Sequence, residues 1–172
     1  MNNARMTTGK VRLIFTALDE PRENKNGKEK YSCRFVIDKN DTETLDKINA
    51  AIEAAYEDGE TKLRGKGKSV PALSAISTPL HDGDLERPDD PNCENALYMN
   101  ASSDFAPQCY DLELNEIDPT ELYSGCYARV CITFFAYNVT GGRGIACGLN
   151  SLQFIADGER LAGKADPKAD FA

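Results

Sequence analysis

From Tyr127 to Tyr137 the chain alternates strictly. Ala128, Val130, Ile132, Phe134 and Ala136 fall on one face of an extended strand, and all are apolar. Tyr127, Arg129, Cys131, Thr133, Phe135 and Tyr137 fall on the other. Successive strand side chains point to opposite faces, so the first set can line a core. A second β-rich run ends near Ile155, after a Thr140-Gly141-Gly142-Arg143-Gly144 turn whose glycines supply positive φ. The pattern predicts one long hairpin over Tyr123–Ile155. Its second face, with three aromatics and an arginine, is neither plainly core nor plainly solvated, and it calls for a partner.

The same pairing of an apolar with a mixed face recurs upstream. Lys10 to Leu18 predicts a strand with Val11, Leu13, Phe15 and Ala17 inward, and Lys10, Arg12, Ile14 and Thr16 outward. Glu29 to Ile37 predicts a second, with Tyr31, Cys33, Phe35 and Ile37 opposite Lys30, Ser32, Arg34 and Val36. Ala96 to Ser102 predicts a third, with Leu97, Met99 and Ala101 opposite Tyr98, Asn100 and Ser102. Between them, Asp41 or Thr42 can cap a helix running to Asp58. Leu45, Ile48, Ile52, Ala55 and Tyr56 recur there at helical spacing. Gln108 to Leu112 suits a short strand, and Ile117 to Leu122 a turn with a short helical piece. Residues 1–8 are expected to fray, Thr61–Val70 to form a loop, and Pro71–Asn95 to lack regular structure.

About five strands with one inserted helix predict a mainly β protein. The expected architecture is an OB-fold-like five-stranded barrel, plugged or covered by that helix. The expected domain spans residues 1–162, and a flexible C-terminal tail takes up 163–172.

Composition fits this picture. The chain has 172 residues, of which 41% are hydrophobic, enough for one domain with a proper core. No apolar run approaches the ~20 residues that cross a bilayer, and Met1–Met6 lacks the apolar core of a signal peptide. The reading is cytosolic, with no membrane association. The six cysteines form no CxxC pair, so they are expected as free thiols and not as disulfides or zinc ligands. The net charge of −8 is unevenly spread. Residues 1–80 hold 14 Lys+Arg against 12 Asp+Glu, and residues 81–172 hold 6 against 16. Binding follows the local field along a groove, so a basic surface in the first half survives the overall acidity.

The outward faces collect Arg12, Lys30, Arg34, Tyr98, Tyr127, Arg129, Phe135 and Tyr137. Thr61–Val70 adds Lys62, Arg64, Lys66 and Lys68 among glycines, a combination suited to phosphate oxygens. Interleaved rings and cations are what single-stranded nucleic acid needs: rings stack on bases, and Lys and Arg track phosphates. Stacking is expected from Tyr98, Phe135 and Tyr137. Phosphate contact is expected from Arg12, Arg34, Lys62, Arg64, Lys66 and Arg129. Two other classes remain open. The aromatic hairpin face could be an assembly surface, giving a homodimer. Asp82 and Asp84 could serve a metal-dependent nuclease, but no wider metal-binding cluster is visible, and His81, the only histidine, has no placed nucleophile. No catalytic residue, metal or cofactor is assigned.

The chain resembles the bacteriophage single-stranded-DNA-binding proteins of the small OB-fold family found in tailed phages. The resemblance rests on Gly9-Lys10-Val11-Arg12, Thr78-Pro79-Leu80 with Asp82-Gly83-Asp84, and Met99-Asn100-Ala101-Ser102-Ser103. It is closest in the hairpin, at Tyr123-Ser124-Gly125-Cys126-Tyr127-Ala128-Arg129, Phe135-Ala136-Tyr137-Asn138 and Gly144-Ile145-Ala146-Cys147-Gly148-Leu149-Asn150. Asp157-Gly158-Glu159-Arg160-Leu161 follows in place. It implies an OB-fold that coats single-stranded DNA in phage replication or recombination, in the host cytoplasm. It also implies an acidic tail with a terminal aromatic, here Asp170-Phe171, that competes with DNA and meets phage or host replication proteins. This chain adds Ala172 beyond that pair, and Lys164 and Lys168 dilute the acid. His81 stands where the family often has a basic residue.

Overall fold

The computed structural model describes residues 4–24, 27–140 and 142–161. In chain order the strands are β1 (Arg5–Thr7), β2 (Val11–Glu23), β3 (Glu29–Asp38), β4 (Leu80–Asp82), β5 (Ala96–Ser103), β6 (Gln108–Tyr110), β7 (Glu116–Ile117), β8 (Tyr127–Val139) and β9 (Gly142–Ala156). The helices are α1 (Thr42–Asp58), α2 (Glu60–Arg64) and α3 (Gly83–Glu86).

The alternation in β8 does what its pattern demands. Ala128, Val130, Ile132, Phe134 and Ala136 are all buried in the main core. Phe134 is 1% exposed while its neighbour Phe135 is 49% exposed. β8 pairs antiparallel with β9 from Tyr127↔Ala156 to Val139↔Gly142, which is the expected hairpin. β8 also pairs with β2, β2 with β3, β3 with β5, and β5 with β9, so five strands close a ring. The order around it, first-second-third-fifth-fourth, with the third and fifth parallel, is that of an OB-fold.

The ring is not a continuous barrel. β5 meets β9 at one parallel pair, Ser102↔Gly148. Further along, β4 pairs with β5 (His81↔Tyr98) and Ser77 bridges to Gly144 on β9. Residues 77–82 thus fill the gap. A segment expected to be irregular is therefore a wedge in the sheet. β1 lies on the outer edge of β8 (Met6↔Ile132), where fraying was expected. A short apolar-polar stretch gains enough by covering an open strand edge to stay ordered.

α1 begins where its cap predicts, with the Asp41 side chain accepting the Thr44 N–H. Thr44, Ile48, Ala51, Ile52 and Ala55 face the main core, so the helix covers the ring as anticipated. It ends at Gly59, whose absent Cβ lets the backbone lie against Ala136. The chain then continues into α2, so the expected loop after Thr61 starts as a helical turn.

One strand departs from its pattern. Between Ile14 and Ala17 the β2–β3 register shifts, and Phe15 sits at φ 50°. The bulge turns Phe15 out of the core, to 55% exposure. It also leaves Ile14 buried in a second cluster with Val36, Cys93, Ala96 and Tyr98, against which Leu161 packs. Strict alternation had put Phe15 inside; Ile14 keeps the outward side expected of it, with Val36 and Tyr98, and is covered there.

The six cysteines are unbonded, and all but Cys131 are buried. Burial is the main cause that pushes Cys33 and Cys109 up to about 12 and Cys126 up to about 11, from an ordinary 9.0. Cys147 is also raised, chiefly by burial. These thiols stay protonated in the native state after the unfolded chain has begun to ionise. Their contribution to stability is full below the unfolded value and is lost as pH rises towards the folded values. The urea midpoint should therefore fall as pH is raised from about 8 to about 10.5, and Cys33→Ala should flatten that slope.

Phe134→Ala removes a ring from the closed core and should cost about 3–5 kcal/mol in urea unfolding. Phe135→Ala, at a half-exposed site, should cost under about 1 kcal/mol. Equal losses would place both rings in the core.

Candidate nucleic-acid interface

The outer face of β3 and β5 carries Arg34 opposite Asn100, Ser32 opposite Ser102 and Val36 opposite Tyr98. Two of the expected site residues meet here. The Arg34 guanidinium lies over the Tyr98 ring at 4.7 Å and over the Phe15 ring at 5.2 Å. Tyr98 in turn stacks on His81, with centroids 5.1 Å apart and planes 26° apart. His81 Nδ1 is 2.9 Å from Glu86 Oε2. The result is a ladder of four planar groups, Phe15, Arg34, Tyr98 and His81.

This geometry changes the part Tyr98 can play. It is 6% exposed, with both ring faces taken, so no base can stack on it in this arrangement. The outward position was read correctly, but the segment 77–95 folds over it. His81, too, is engaged in the ladder and does not project as a free basic group.

Arg34 is half-buried. Its Nε donates to Asn100 Oδ1 at 2.9 Å. Its Nη1 is a buried nitrogen with no hydrogen-bond partner among the described residues. Burial, followed by the nearby charge of Arg87, makes the guanidinium less basic than an ordinary arginine. A desolvated cation with an unused N–H gains more from an anion than a solvated one does.

Arg12 is committed elsewhere. Nε donates to the Gly125 carbonyl at 3.1 Å, Nη2 to the Glu159 carbonyl at 3.0 Å and Nη1 to Asn92 Oδ1 at 3.4 Å. It holds the approach to β8 against residues 157–161. Gly125, at φ 112°, lies so close to the Glu159 carbonyl that a side chain would overlap it. Arg129 Nε donates to the Thr8 carbonyl at 3.0 Å, which ties down the chain after β1. Both arginines were expected on phosphates, and both have structural carbonyls as partners. From sequence alone, a cation that clamps a carbonyl cannot be told from one that is free.

The remaining residues gather at the tip of the hairpin. Lys62 and Phe135 line one groove of about 280 Å³ with Ala4, Asp58 and Gly59. The Lys62 and Leu63 carbonyls accept from Asn138 Nδ2 at 3.0 Å and Arg143 Nη1 at 2.6 Å. α2 is thereby fixed on the hairpin, with Lys62, Arg64 and Lys66 exposed. Tyr137, half-buried opposite Gly144, is in the same stretch of β8. In OB-folds oligonucleotides lie on the face of ring strands two and three, between loops one-two and four-five. Here those are β3 and β5, the turn after Asn24, and the β8–β9 tip. The Arg34 ladder lies on that face, and the basic cluster stands at one of its two bounding loops.

The exposure of Phe15 on the outer face was not anticipated. Its signal was only an aromatic beside a β-branched run, and alternation assigned it to the core. A bulky residue at positive φ costs about 1–3 kcal/mol and persists only where its surroundings hold it. Asp82 and Asp84 are accounted for by Lys39 Nζ, at 3.1 and 2.7 Å, and this ion pair lowers the Asp84 pKa. Among the described residues no group of three or more His, Cys, Asp or Glu is placed to hold a metal ion. No helix among them is long and apolar enough to cross a membrane. Asp170 and Phe171 lie outside the described residues.

Ring order and the covering helix define an OB-fold protein with a mixed cationic and aromatic outer face. A family model described as the Enterobacter phage Enc34 ssDNA-binding protein matches residues 4–172. The chain belongs to that family. It is 31% identical over 160 residues to protein p50 of Acyrthosiphon pisum secondary endosymbiont phage 1, covering 89% of this chain and 84% of that one. It superimposes on the single-stranded-DNA-binding protein of bacteriophage Enc34, solved in complex with ssDNA, with a TM-score of 0.78 and 25% identity. That match covers 92% of this chain and 90% of that one. The bacteriophage T7 gp2.5 single-stranded-DNA-binding protein shares the fold at a TM-score of 0.65 and 13% identity, over 98% and 94% of the two chains.

If the deep thiols are as enclosed as described, Cys131 should react with a disulfide reagent at neutral pH well before the other five. Simultaneous reaction of all six would mean that the ring opens readily.

Proposed function

We propose that the chain binds single-stranded DNA without reading its sequence, in phage replication or recombination, and has no catalytic role. The observation that carries this reading is Arg34, a half-buried cation with an unused N–H on the β3–β5 face. A phosphate at the open side of this half-buried guanidinium supplies the counter-charge that no described carboxylate gives it in an ion pair. Lys62, Arg64 and Lys66 extend the positive field at the hairpin tip, and Phe135 and Tyr137 offer rings beside them. The Enc34 relative, solved with ssDNA, supports the same ligand.

Leu161, the last described residue at the C-terminal side, packs against the Ile14, Val36 and Tyr98 cluster. We read the chain beyond it, with Asp170 and Phe171, as a tail that competes with DNA and, when displaced, meets replication proteins. Exposed Phe135 keeps one alternative alive, in which the hairpin face joins two copies. In that case Phe135→Ala breaks a dimer in sedimentation and leaves DNA affinity unchanged.

Titration with oligo-dT and with duplex of equal length is the direct test. We expect tighter binding to the single strand and a steep fall in affinity with salt. Replacing Lys62, Arg64 and Lys66 together by alanine should flatten the log-log salt slope by about 2, at roughly 0.7 per lost phosphate contact. Ending the chain at Gly163 should tighten binding. Equal affinity for both nucleic acids, or binding indifferent to salt, would overturn the reading.

A further inference from the structure

The ladder of Phe15, Arg34, Tyr98 and His81 is fixed from the inside outwards. His81 is held by Glu86, Tyr98 is buried, and Arg34 is tied to Asn100. Only the outermost plane, Phe15, keeps much of its surface in water. One of its faces rests over the Arg34 guanidinium. The bulge at φ 50° holds it turned out of the core into which strict alternation would have put it.

Phe15 also forms one wall of a groove of about 280 Å³ between β2 and the segment 119–124. Arg22 and Arg160 line the same groove, along with one carboxylate, Asp19. Neither arginine is in an ion pair with a described residue. The Arg160 guanidinium lies 4.5 Å over the Tyr123 ring, with its charge otherwise unneutralised.

We propose that this groove is a nucleotide subsite, with Phe15 as its base-stacking platform and Arg22 and Arg160 as its phosphate contacts. The ligand is one nucleotide of a single strand, so the inference rests on the DNA-binding reading. The base would add as a fifth plane to a stack whose other four are already in place. A ring ordered before binding loses little freedom on binding, which favours affinity. Stacking needs only a π-face, so the subsite accepts any base. Tyr98, expected to carry a base itself, supports the ring that does so through Arg34.

The sequence offers a clean probe, because the chain contains no tryptophan. Phe15→Trp places a single reporter in the subsite. Binding of oligo-dT is followed in parallel by anisotropy of a labelled oligonucleotide and by tryptophan emission. The expected result is emission quenching that saturates at the same DNA concentration as the anisotropy. Phe15→Gly, which suits the positive φ, should keep the wild-type melting temperature and lose about ten-fold in affinity. Arg22→Ala with Arg160→Ala should flatten the salt slope by about 1.4.

Normal anisotropy with unchanged tryptophan emission, or wild-type affinity in Phe15→Gly, would overturn the subsite and leave the DNA-binding reading standing. Failure of the wild-type protein to bind oligo-dT would remove both. If Phe15→Gly melts early, Phe15→Trp alone decides.

Discussion

The constraint behind the whole structure is the inner face of β8. Five alternating apolar residues need cover along the full length of one strand, and one neighbouring strand cannot supply it. Closure does: β2 and β9 flank β8 on either side, and the ring brings Leu13, Phe35 and Met99 round to face it. α1 fills what remains open near Ala136. Because the core claims one side of every ring strand, the other side is free to diverge. The mixed outer faces are the consequence of a closed ring with a single apolar interior.

That freedom is used unequally. Over part of β2, β3 and β5 the outer face is buried again, in a small cluster roofed by residues 91–96 and Leu161. The roof stops at Tyr98. Beyond it Arg34 is half desolvated and incompletely satisfied. A fully roofed arginine lacking a partner would cost too much, and a fully exposed one would be hydrated and indifferent to a phosphate. The edge of the roof creates the intermediate case. The same roof takes Tyr98 away from solvent, and the bulge in β2 gives the exposed ring back as Phe15.

What the sequence disclosed follows from how local each cause is. The hairpin, α1 with its Asp41 cap, and the inward faces of β3, β5 and β8 are set by periodicity within one element, and they were readable. The outward turn of Phe15 and the cover over Ile14 were not, because the bulge is decided by the partner strand and the cover by residues distant in sequence. β1 and β4 are three residues each, too short to show a period, and exist because open edges of β8 and β5 need them. Lys62 with Phe135 was legible as chemistry, and the structure added that one groove holds both. Arg12 and Arg129 illustrate the limit. A positive side chain on an outer face is equally suited to a phosphate and to a backbone carbonyl, and only the fold says which is nearby.

The partition of arginines has its own logic. Arg12 and Arg129 join segments distant in sequence to β2 and β8, each through carbonyls that have no strand partner at that point. Arg12 is engaged through three nitrogens, whereas Arg129 is engaged through Nε and stays exposed. Arg34 has one bond to a side chain and one nitrogen with none. In a protein of net charge −8, a DNA surface depends on cations kept out of reach of the many carboxylates. Burying Arg34 between two rings does that, since rings screen a guanidinium from competing acids without neutralising it. An aromatic sandwich is therefore a way to store an uncommitted positive charge on an acidic protein, and it explains why the rings and the cation occur at one place.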